Sequence, residues 1–247
     1  MDYYYFPTSH WSRAVSLALA EKGLTPRRHF VDIRHHGTFT PEYLRINPRG
    51  VVPTLVDDGV AVCDSLRIAR YLDERYPPRL SVDGEEYDAW IAELEAYPLM
   101  LFSYAVWVKG RRGERSADIL EEKITLARAR AVEHPALAAE YERKARFFEA
   151  FRAEVYDDAH VEREAERGRA LLERIGLQAR PWIFGERYTF ADCVATSILY
   201  RLVDLGVQRE WSETRGHPLR DYYDRLRSRP SFDAVFLADP ELARLRR

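Results

Sequence analysis

Asp64 and Ser65 stand directly before a run with helical periodicity, Leu66 to Glu74. Either residue is a good N-cap, and the free backbone N–H groups at such a helix start suit a carboxylate. Taken alone, the pair predicts a helix cap. Placed close to a strand that can bind a ligand, it predicts a carboxylate-binding site.

The cysteines and histidines of the chain argue against a disulfide framework, a dithiol centre and a metal site. Cys63 and Cys193 are the only cysteines and lie far apart, so neither a disulfide framework nor a C-x-x-C dithiol centre is expected. The neighbouring His35 and His36 have no cysteine or carboxylate at ligand spacing. We therefore expect no metal site.

The elements that must position these residues change type quickly within residues 1–80. The pattern predicts strands at Tyr3–Phe6, Arg28–Ile33, Val51–Val56 and Val60–Cys63, and helices at Ser12–Lys22 and Asp64–Leu72. The β-α-β order at the start implies a right-handed crossover and parallel pairing of the first two strands. Asp57-Asp58-Gly59 predicts a hairpin between the last two strands.

From Glu85 onward, strand signals almost vanish. Helical periodicity runs through Glu85–Lys109, Pro135–Ile175, Phe190–Leu205 and Pro218–Arg227. Residues 110–134 are polar and charged, which predicts either a loop followed by a helix or a lid. The sequence therefore predicts an α/β domain at residues 1–80 and a helical bundle at 85–247.

Composition narrows the possible partners. The 38 basic and 40 acidic side chains leave a formal net charge of −2, so we expect neither nucleic acid nor an anionic membrane as the main partner. No apolar run approaches the ~20 residues of a membrane span, and Met1–Tyr5 lacks the features of a signal peptide, so a cytoplasmic protein is expected. Nearly all the positive charge is arginine, which indicates GC-rich, bacterial coding; the four lysines are Lys22, Lys109, Lys123 and Lys144.

Three segments together resemble the glutathione S-transferase superfamily. The first is Ile46–Leu55, which has a proline at the start of a strand; the second is Cys63-Asp64-Ser65. The third is Gly185–Asp192, in which Thr189 and Asp192 predict a capping box for a buried helix. The resemblance spans both predicted domains in the family's order. It implies a thioredoxin-like domain followed by an all-helical domain, and relatives are commonly homodimers.

The resemblance also implies a glutathione site. In the family, the proline corresponding to Pro53 follows a cis bond, and the residue corresponding to Val52 pairs its exposed N–H and C=O with the cysteinyl part of glutathione. An acidic residue followed by serine, here Asp64 and Ser65, holds the γ-glutamyl end. A basic residue binds the glycyl carboxylate, and the candidates are His35, His36, Arg45 and Arg49.

A hydroxyl that stabilises the glutathione thiolate is implied just after the first strand. Aligned with serine-type transferases, Ser9 takes this position; aligned with bacterial β-etherase-type enzymes, Ser12 does. Either hydroxyl can donate to a thiolate, and either can instead be a plain N-cap. The run Glu21-Lys22-Gly23-Leu24 looks most like the β-etherase-type members, which cleave aryl ethers by glutathione attack. An aryl ether or halide is therefore the expected electrophile.

The resemblance places the electrophile pocket between Trp11 and the first helix of the second domain. Tyr104 and Trp107 on that helix offer an aromatic wall, and residues 110–134 can cover it. Two other functions stay open. The chain can be an isomerase or lyase that recycles the thiol, or a non-catalytic protein that binds glutathione, another thiol or none.

Overall fold

The computed structural model describes residues 1–108 and 118–245 of the chain. Its strands are β1 (Asp2–Tyr5), β2 (Arg27–Phe30), β3 (Thr54–Asp57) and β4 (Val60–Cys63). Its helices are α1 (His10–Glu21), α2 (Pro41–Ile46), α3 (Ser65–Arg75), α4 (Glu85–Glu95), α5 (Leu99–Val108), α6 (Ile119–Glu133), α7 (Ala138–Tyr156), α8 (Asp158–Gln178), α9 (Phe190–Leu205), α10 (Glu210–Glu213), α11 (Pro218–Arg227), α12 (Pro230–Phe232) and α13 (Pro240–Leu245).

The four strands form one sheet in the order β2-β1-β3-β4. β1 and β2 are parallel and are joined through α1, as the β-α-β order predicts. β3 and β4 are antiparallel and turn at Asp58 and Gly59, whose φ values of 49° and 78° give the primed turn that suits a tight hairpin. With helices following β4, the predicted fold class is confirmed.

Contacts divide the chain into two compact units. The first comprises Met1–Phe30, Val52–Tyr97 and Gly168–Arg247, and the second comprises Val31–Val51 and Pro98–Arg167. The second unit thus combines a segment from the first third of the chain with helices from its middle. The sequential division at residues 80–85 stays a prediction.

Buried aromatic and aliphatic side chains hold the first unit together. Tyr3 and Tyr5 of β1 are 0% and 2% exposed, and α1 packs against α3 and α9. Lys22 ties the end of α1 to the end of α3: its Nζ donates to the carbonyls of Tyr76 and Pro78 and pairs with Asp73. A buried amine with three acceptors is well satisfied.

Asp192 organises the start of α9. Its carboxylate is fully buried and accepts hydrogen bonds from the N–H and the hydroxyl of Thr189, the N–H of Ile183 and the hydroxyl of Tyr222. Burial raises the pKa of the Asp192 carboxyl, and the four donors oppose that rise. The capping box predicted at this position is confirmed and extends to a second helix, α11.

We expect Asp192→Ala to destabilise the protein far more than removal of one of its donors. The substitution leaves four buried donors without their acceptor, which should cost about 3 kcal/mol or more, whereas Tyr222→Phe removes one hydrogen bond and should cost about 1 kcal/mol. Urea denaturation of the two variants checks this ranking. Equal losses would show that Asp192 is not the centre of the network.

The second unit is built on an antiparallel pair of helices, α6 and α7, joined by a short turn. These helices pack on residues 31–51, and the buried cluster between them consists of Phe39, Leu44, Ala127, Ala131, Tyr141 and Ala145. At the far end of the pair, Arg152 of α7 donates to the N-cap Asp118 of α6 at 2.6 Å. Apolar packing and terminal ion pairing therefore fix the two helices to each other.

Two lysines of this helix pair are buried beside Phe39. Lys123 and Lys144 are 4% and 7% exposed, and their Nζ atoms lie 5.5 and 4.2 Å from the Phe39 ring centroid. Lys144 donates to the carbonyl of Gly50 at 2.6 Å, and Lys123 donates to the carbonyl of Ile33 at 3.4 Å. Burial, together with the charge of Lys123, lowers the pKa of Lys144 to about 7.

This lowered pKa should make stability depend on pH. The Lys144 amine has an ordinary pKa of 10.5 in the unfolded chain and about 7 in the folded protein. Between these values the unfolded chain binds more protons, so the free energy of unfolding should rise from about pH 7 to about pH 10. Lys144→Met removes the titrating group. Urea denaturation across this range should therefore give the wild type the steeper rise, and parallel curves would contradict the prediction.

Two stretches predicted as continuous helix are each broken. The helical pattern over Glu85–Lys109 divides into α4 and α5 because Pro98 has no N–H to donate to the preceding turn. The pattern over Pro135–Ile175 becomes a 3₁₀ turn followed by α7 and α8, with Asp157 extended between them. Across residues 1–108 and 118–245, no helix has both the length and the apolarity needed to cross a membrane.

Candidate functional site

The register of the sheet brings the end of β1, the start of β3 and the end of β4 together. Tyr4 pairs with Thr54, and Thr54 pairs with Cys63 on its other side. Because β3 runs antiparallel to both β1 and β4, the end where β3 begins is the end where the other two finish. The segments adjoining these three positions therefore leave the sheet at one end, and they carry Ser9, Val52, Pro53, Asp64 and Ser65.

Ser9 and Ser12 have different environments at the start of α1. Ser9 is the half-buried N-cap, and its Oγ accepts from the N–H of Ser12 at 3.4 Å, which is a long and therefore weak hydrogen bond. Ser12 is fully buried, and its Oγ accepts from the N–H of Phe6 at 3.3 Å. Of the two serines that can cap the helix, Ser9 is the N-cap, and its hydroxyl also has the better access to a ligand.

Arg13 holds the loop that carries Ser9, a role that the sequence analysis missed. The guanidinium is 3% exposed, and its Nε donates to the carbonyl of Pro7 at 2.7 Å. It also lies over the rings of Tyr200 and Phe236, at 4.7 and 5.2 Å from their centroids. The available signal was an arginine within the apolar face of a helix, one residue before Ala14-Val15.

Val52 presents its peptide groups directly before β3. The Val52–Pro53 bond is cis, as the resemblance implies, and Pro53 is buried. Among the described residues, the N–H and C=O of Val52 form no hydrogen bond, whereas the C=O of Val51 accepts from Tyr43 and Asn47. This is the arrangement needed for an extended ligand to add to the strand.

Asp64 has an unusual backbone conformation at the start of α3. Its φ of 94° lies in the region that favours glycine, where another residue costs about 1–3 kcal/mol. The Asp64 carboxylate is half-buried and accepts from the N–H of Leu66 at 3.0 Å, and Ser65 beside it is 6% exposed. The strained backbone of Asp64 makes this residue a candidate for a role beyond the cap itself.

Two helix N-termini face the same end of the sheet. α1 follows β1, α3 follows β4, and the two helices are in contact. Neither helix has an acidic residue in its first turn, and α1 is capped by the uncharged Ser9, whereas the N-cap Asp64 places one carboxylate at the start of α3. The start of α1 therefore favours an anion such as a thiolate, and the remaining free N–H groups at the start of α3 can donate to a carboxylate.

His10, the first residue of α1, is a weak base. Burial and the charges of Arg201 and Arg13 lower the pKa of His10 well below its ordinary value. Its carbonyl accepts from the Ser197 hydroxyl at 2.7 Å, and its ring lies 5.1 Å from that of the half-buried Trp11. The imidazole is therefore neutral near pH 7, which leaves the serine hydroxyl as the better group to stabilise a thiolate.

Arg49, Tyr104 and Trp107 belong to the second unit, as do the other candidates for the glycyl carboxylate, His35, His36 and Arg45. The remaining predicted site residues belong to the first unit. The Arg49 side chain is exposed, and its backbone N–H donates to Asn47 at 3.0 Å. The ring of Tyr104 lies edge-on to those of Trp107 and Phe151, both at 5.3 Å, and Trp107 is 36% exposed. The second unit therefore has an aromatic cluster that includes α7, a helix absent from the sequence prediction of the pocket.

The lid predicted for residues 110–134 is only partly described. Residues 110–117 lie outside the described ranges, and 119–133 form α6. Within residues 1–108 and 118–245, no group of histidine, cysteine, aspartate and glutamate is arranged to hold a metal ion.

Two family models match this chain. The model of the glutathione S-transferase N-terminal domain matches residues 8–75, and that of the glutathione S-transferase C-terminal domain matches residues 158–225. Together they cover more than half of the chain, and residues 76–157 lie between them. Glutathione S-transferase TCHQD of Arabidopsis thaliana is 26% identical over 243 residues, which is 95% of this chain and 89% of that protein.

Solved structures have the same fold. The β-etherase LigF of Sphingobium sp. strain SYK-6 superposes with a TM-score of 0.69 at 22% identity, covering 96% of this chain and 99% of that one. A glutathione transferase homologue from Sulfitobacter, solved with bound glutathione, gives a TM-score of 0.61 at 18% identity, with 95% of each chain covered.

Proposed function

Because this chain belongs to the glutathione S-transferase superfamily, we propose that it binds glutathione at the sheet end described above and uses the thiolate against an electrophile. One observation carries the proposal. The free peptide edge of Val52 lies at the same end of the sheet as the N-termini of α1 and α3. A tripeptide with a thiol and two carboxylates fits such a combination of strand edge and anion-binding helix ends.

Each of the three residues of glutathione has its own proposed contact in the protein. The cysteinyl residue pairs with the N–H and C=O of Val52 beside Pro53. The γ-glutamyl end lies against Asp64 and Ser65, where the carboxylate accepts from the ligand's ammonium and the helix N-terminus donates to its carboxylate. Arg49, an exposed cation three residues before Val52, is the proposed partner of the glycyl carboxylate.

The chemical part of the proposal assigns the thiolate to Ser9. A hydrogen bond from the Ser9 hydroxyl and the positive end of α1 both favour the charged form of sulfur, which lowers the thiol pKa. Ser12 is the weaker candidate because it is fully buried and its Oγ already accepts from Phe6.

The electrophile is proposed to be aromatic. Following the sequence resemblance, Trp11, Tyr104 and Trp107 are the proposed pocket residues, and each supplies an aromatic side chain. An aryl ether is the favoured substrate and an aryl halide the next, following the sequence resemblance to β-etherase-type enzymes. Homodimer formation and a cytoplasmic, bacterial setting belong to the same proposal. Isomerisation, or thiol binding without turnover, is the alternative.

Calorimetric titration with glutathione tests the binding site. We expect wild-type binding in the micromolar to millimolar range and a loss of about tenfold or more in Asp64→Asn, because the ligand's ammonium loses a charged partner. Asp64→Asn can still cap Leu66 through its amide oxygen, so the fold is preserved. Asp58→Asn makes the same charge change in the exposed β-hairpin turn and should leave the affinity unchanged.

The absence of any heat at saturating glutathione would overturn the proposed function and direct the search to another thiol. Equal affinity in the wild type and Asp64→Asn would remove Asp64 from the site.

Kinetics and thiol titration test Ser9. With an aryl ether or aryl halide, Ser9→Ala should lower the rate about 10- to 100-fold while the glutathione affinity is retained, since one hydrogen bond to a charged sulfur is lost. The ultraviolet absorbance of bound thiolate should show a raised thiol pKa in this variant. Thr8→Ala removes a neighbouring hydroxyl and should change neither quantity.

The same titration separates the alternatives. An unchanged rate and thiol pKa in Ser9→Ala, with both altered in Ser12→Ala, would transfer the role to Ser12. Tight glutathione binding without any serine-dependent rate would indicate a binding protein instead of a transferase.

A further inference from the structure

In the sequence, the α6–α7 helix pair lies between the two regions matched by the family models. Its side chains donate hydrogen bonds to the backbone of residues 31–51. Three of its side chains donate to carbonyl oxygens of that segment. The donors are Lys123, Tyr141 and Lys144, and the acceptors are Ile33, Phe39 and Gly50, at 3.4, 2.8 and 2.6 Å respectively.

The contact at Gly50 is the shortest and the most tightly fitted of the three. Gly50 has a φ of 58°, and a Cβ there would lie 2.7 Å from Nζ of Lys144 and 2.9 Å from the carbonyl oxygen of Thr38. Only glycine therefore allows the amine to approach this closely. The Lys144 ammonium also lies 4.2 Å from the centroid of the Phe39 ring.

Lys144 is an expensive residue to bury here. Within the described ranges, neither Lys144 nor Lys123 forms an ion pair with a carboxylate. The nearby positive charge of Lys123 on α6 adds to the effect of burial and lowers the pKa of Lys144 further. The negative charge of Glu122 raises the pKa of Lys123 and so partly opposes the effect of burial there. An apolar side chain would avoid the desolvation cost of a buried amine. The presence of an amine therefore indicates that holding the Gly50 carbonyl matters.

Gly50, whose carbonyl accepts from Lys144, lies two residues before Val52 in the sequence. The Gly50 carbonyl lies in one peptide plane with the N–H of Val51, and the next plane, whose Val51 carbonyl accepts from Tyr43 and Asn47, carries the N–H of Val52. Lys144 therefore holds the first of the two peptide planes that lead into the proposed strand-addition edge. Tyr141 holds Phe39, thirteen residues before Val52, and is too far along the chain to act in this way.

We propose that the α6–α7 pair presets the peptide edge of Val52 and that Lys144, acting through Gly50, is a positioning residue for glutathione affinity. This inference rests on the proposed glutathione site. Lys144 keeps the edge in the conformation that the ligand needs, so that the ligand does not have to order it on binding. The chemistry at sulfur stays with Ser9.

Calorimetry on Lys144→Met and Tyr141→Phe tests the proposal with a matched pair. Each variant removes one hydrogen bond between the same helices and the same segment, so a general loosening of the second unit would affect both. Only Lys144→Met should raise the Kd for glutathione, by about three- to tenfold, with the pKa of the bound thiol unchanged. Lys144→Gln, which keeps an N–H donor, should retain part of the affinity and replaces Lys144→Met if that variant does not fold.

NMR order parameters of the backbone N–H groups of Val51 and Val52 provide a readout that does not need the ligand. The order parameters should fall in Lys144→Met and stay unchanged in Tyr141→Phe. An unchanged Kd in Lys144→Met, or equal changes in Kd for both variants, would overturn the positioning role. If the wild type binds no glutathione, the proposed function fails, and the order parameters alone then decide whether Lys144 orders this edge.

Discussion

The pairing of Tyr3 with Leu55 fixes the position of every group at the candidate site in the first unit. Both side chains are fully buried in the core of the sheet. Because side chains alternate between the faces of a strand, a slip of one residue would turn Leu55 and its neighbours to the opposite face. The same slip would move Val52 and Pro53 relative to the starts of α1 and α3. The hydrophobic core thus selects the register, and the register assembles the strand edge and the two helix ends.

The parts of the fold that depend on local patterns were predictable from the sequence. α9 and α11 begin and end at the predicted residues, because a capping box opens one and a proline at the first helical position opens the other. The Asp58-Gly59 turn is equally local. The breaks at Pro98 and Asp157 were missed because apolar residues continue with helical spacing on both sides, so periodicity alone gives no boundary there.

The residues of the candidate site also divide into those that local motifs predict and those that only the tertiary structure reveals. Val52, Pro53, Asp64 and Ser65 could be nominated because each lies within a short motif, although their binding role stays a prediction. Arg13 and Lys144 could not be, because their partners are defined by the tertiary fold: Gly50 is ninety-four positions from Lys144. A signal was present in the scarcity of lysine. In a chain that uses arginine for nearly all its positive charge, the three lysines that the structure describes, Lys22, Lys123 and Lys144, are each buried with a compact amine hydrogen-bonded to a backbone carbonyl.

That use of lysine has a consequence for chemical labelling. Lys22, Lys123 and Lys144 are each less than a tenth exposed, and each amine is bonded to a backbone carbonyl. Acylating reagents and lysine-specific proteases need the amine or its side chain in solvent, so these three positions become reactive only when the surrounding structure opens. Modification of Lys22, Lys123 or Lys144 in the native protein therefore reports on local unfolding at the end of α1 or in the α6–α7 pair, whereas in most proteins lysine modification maps the surface.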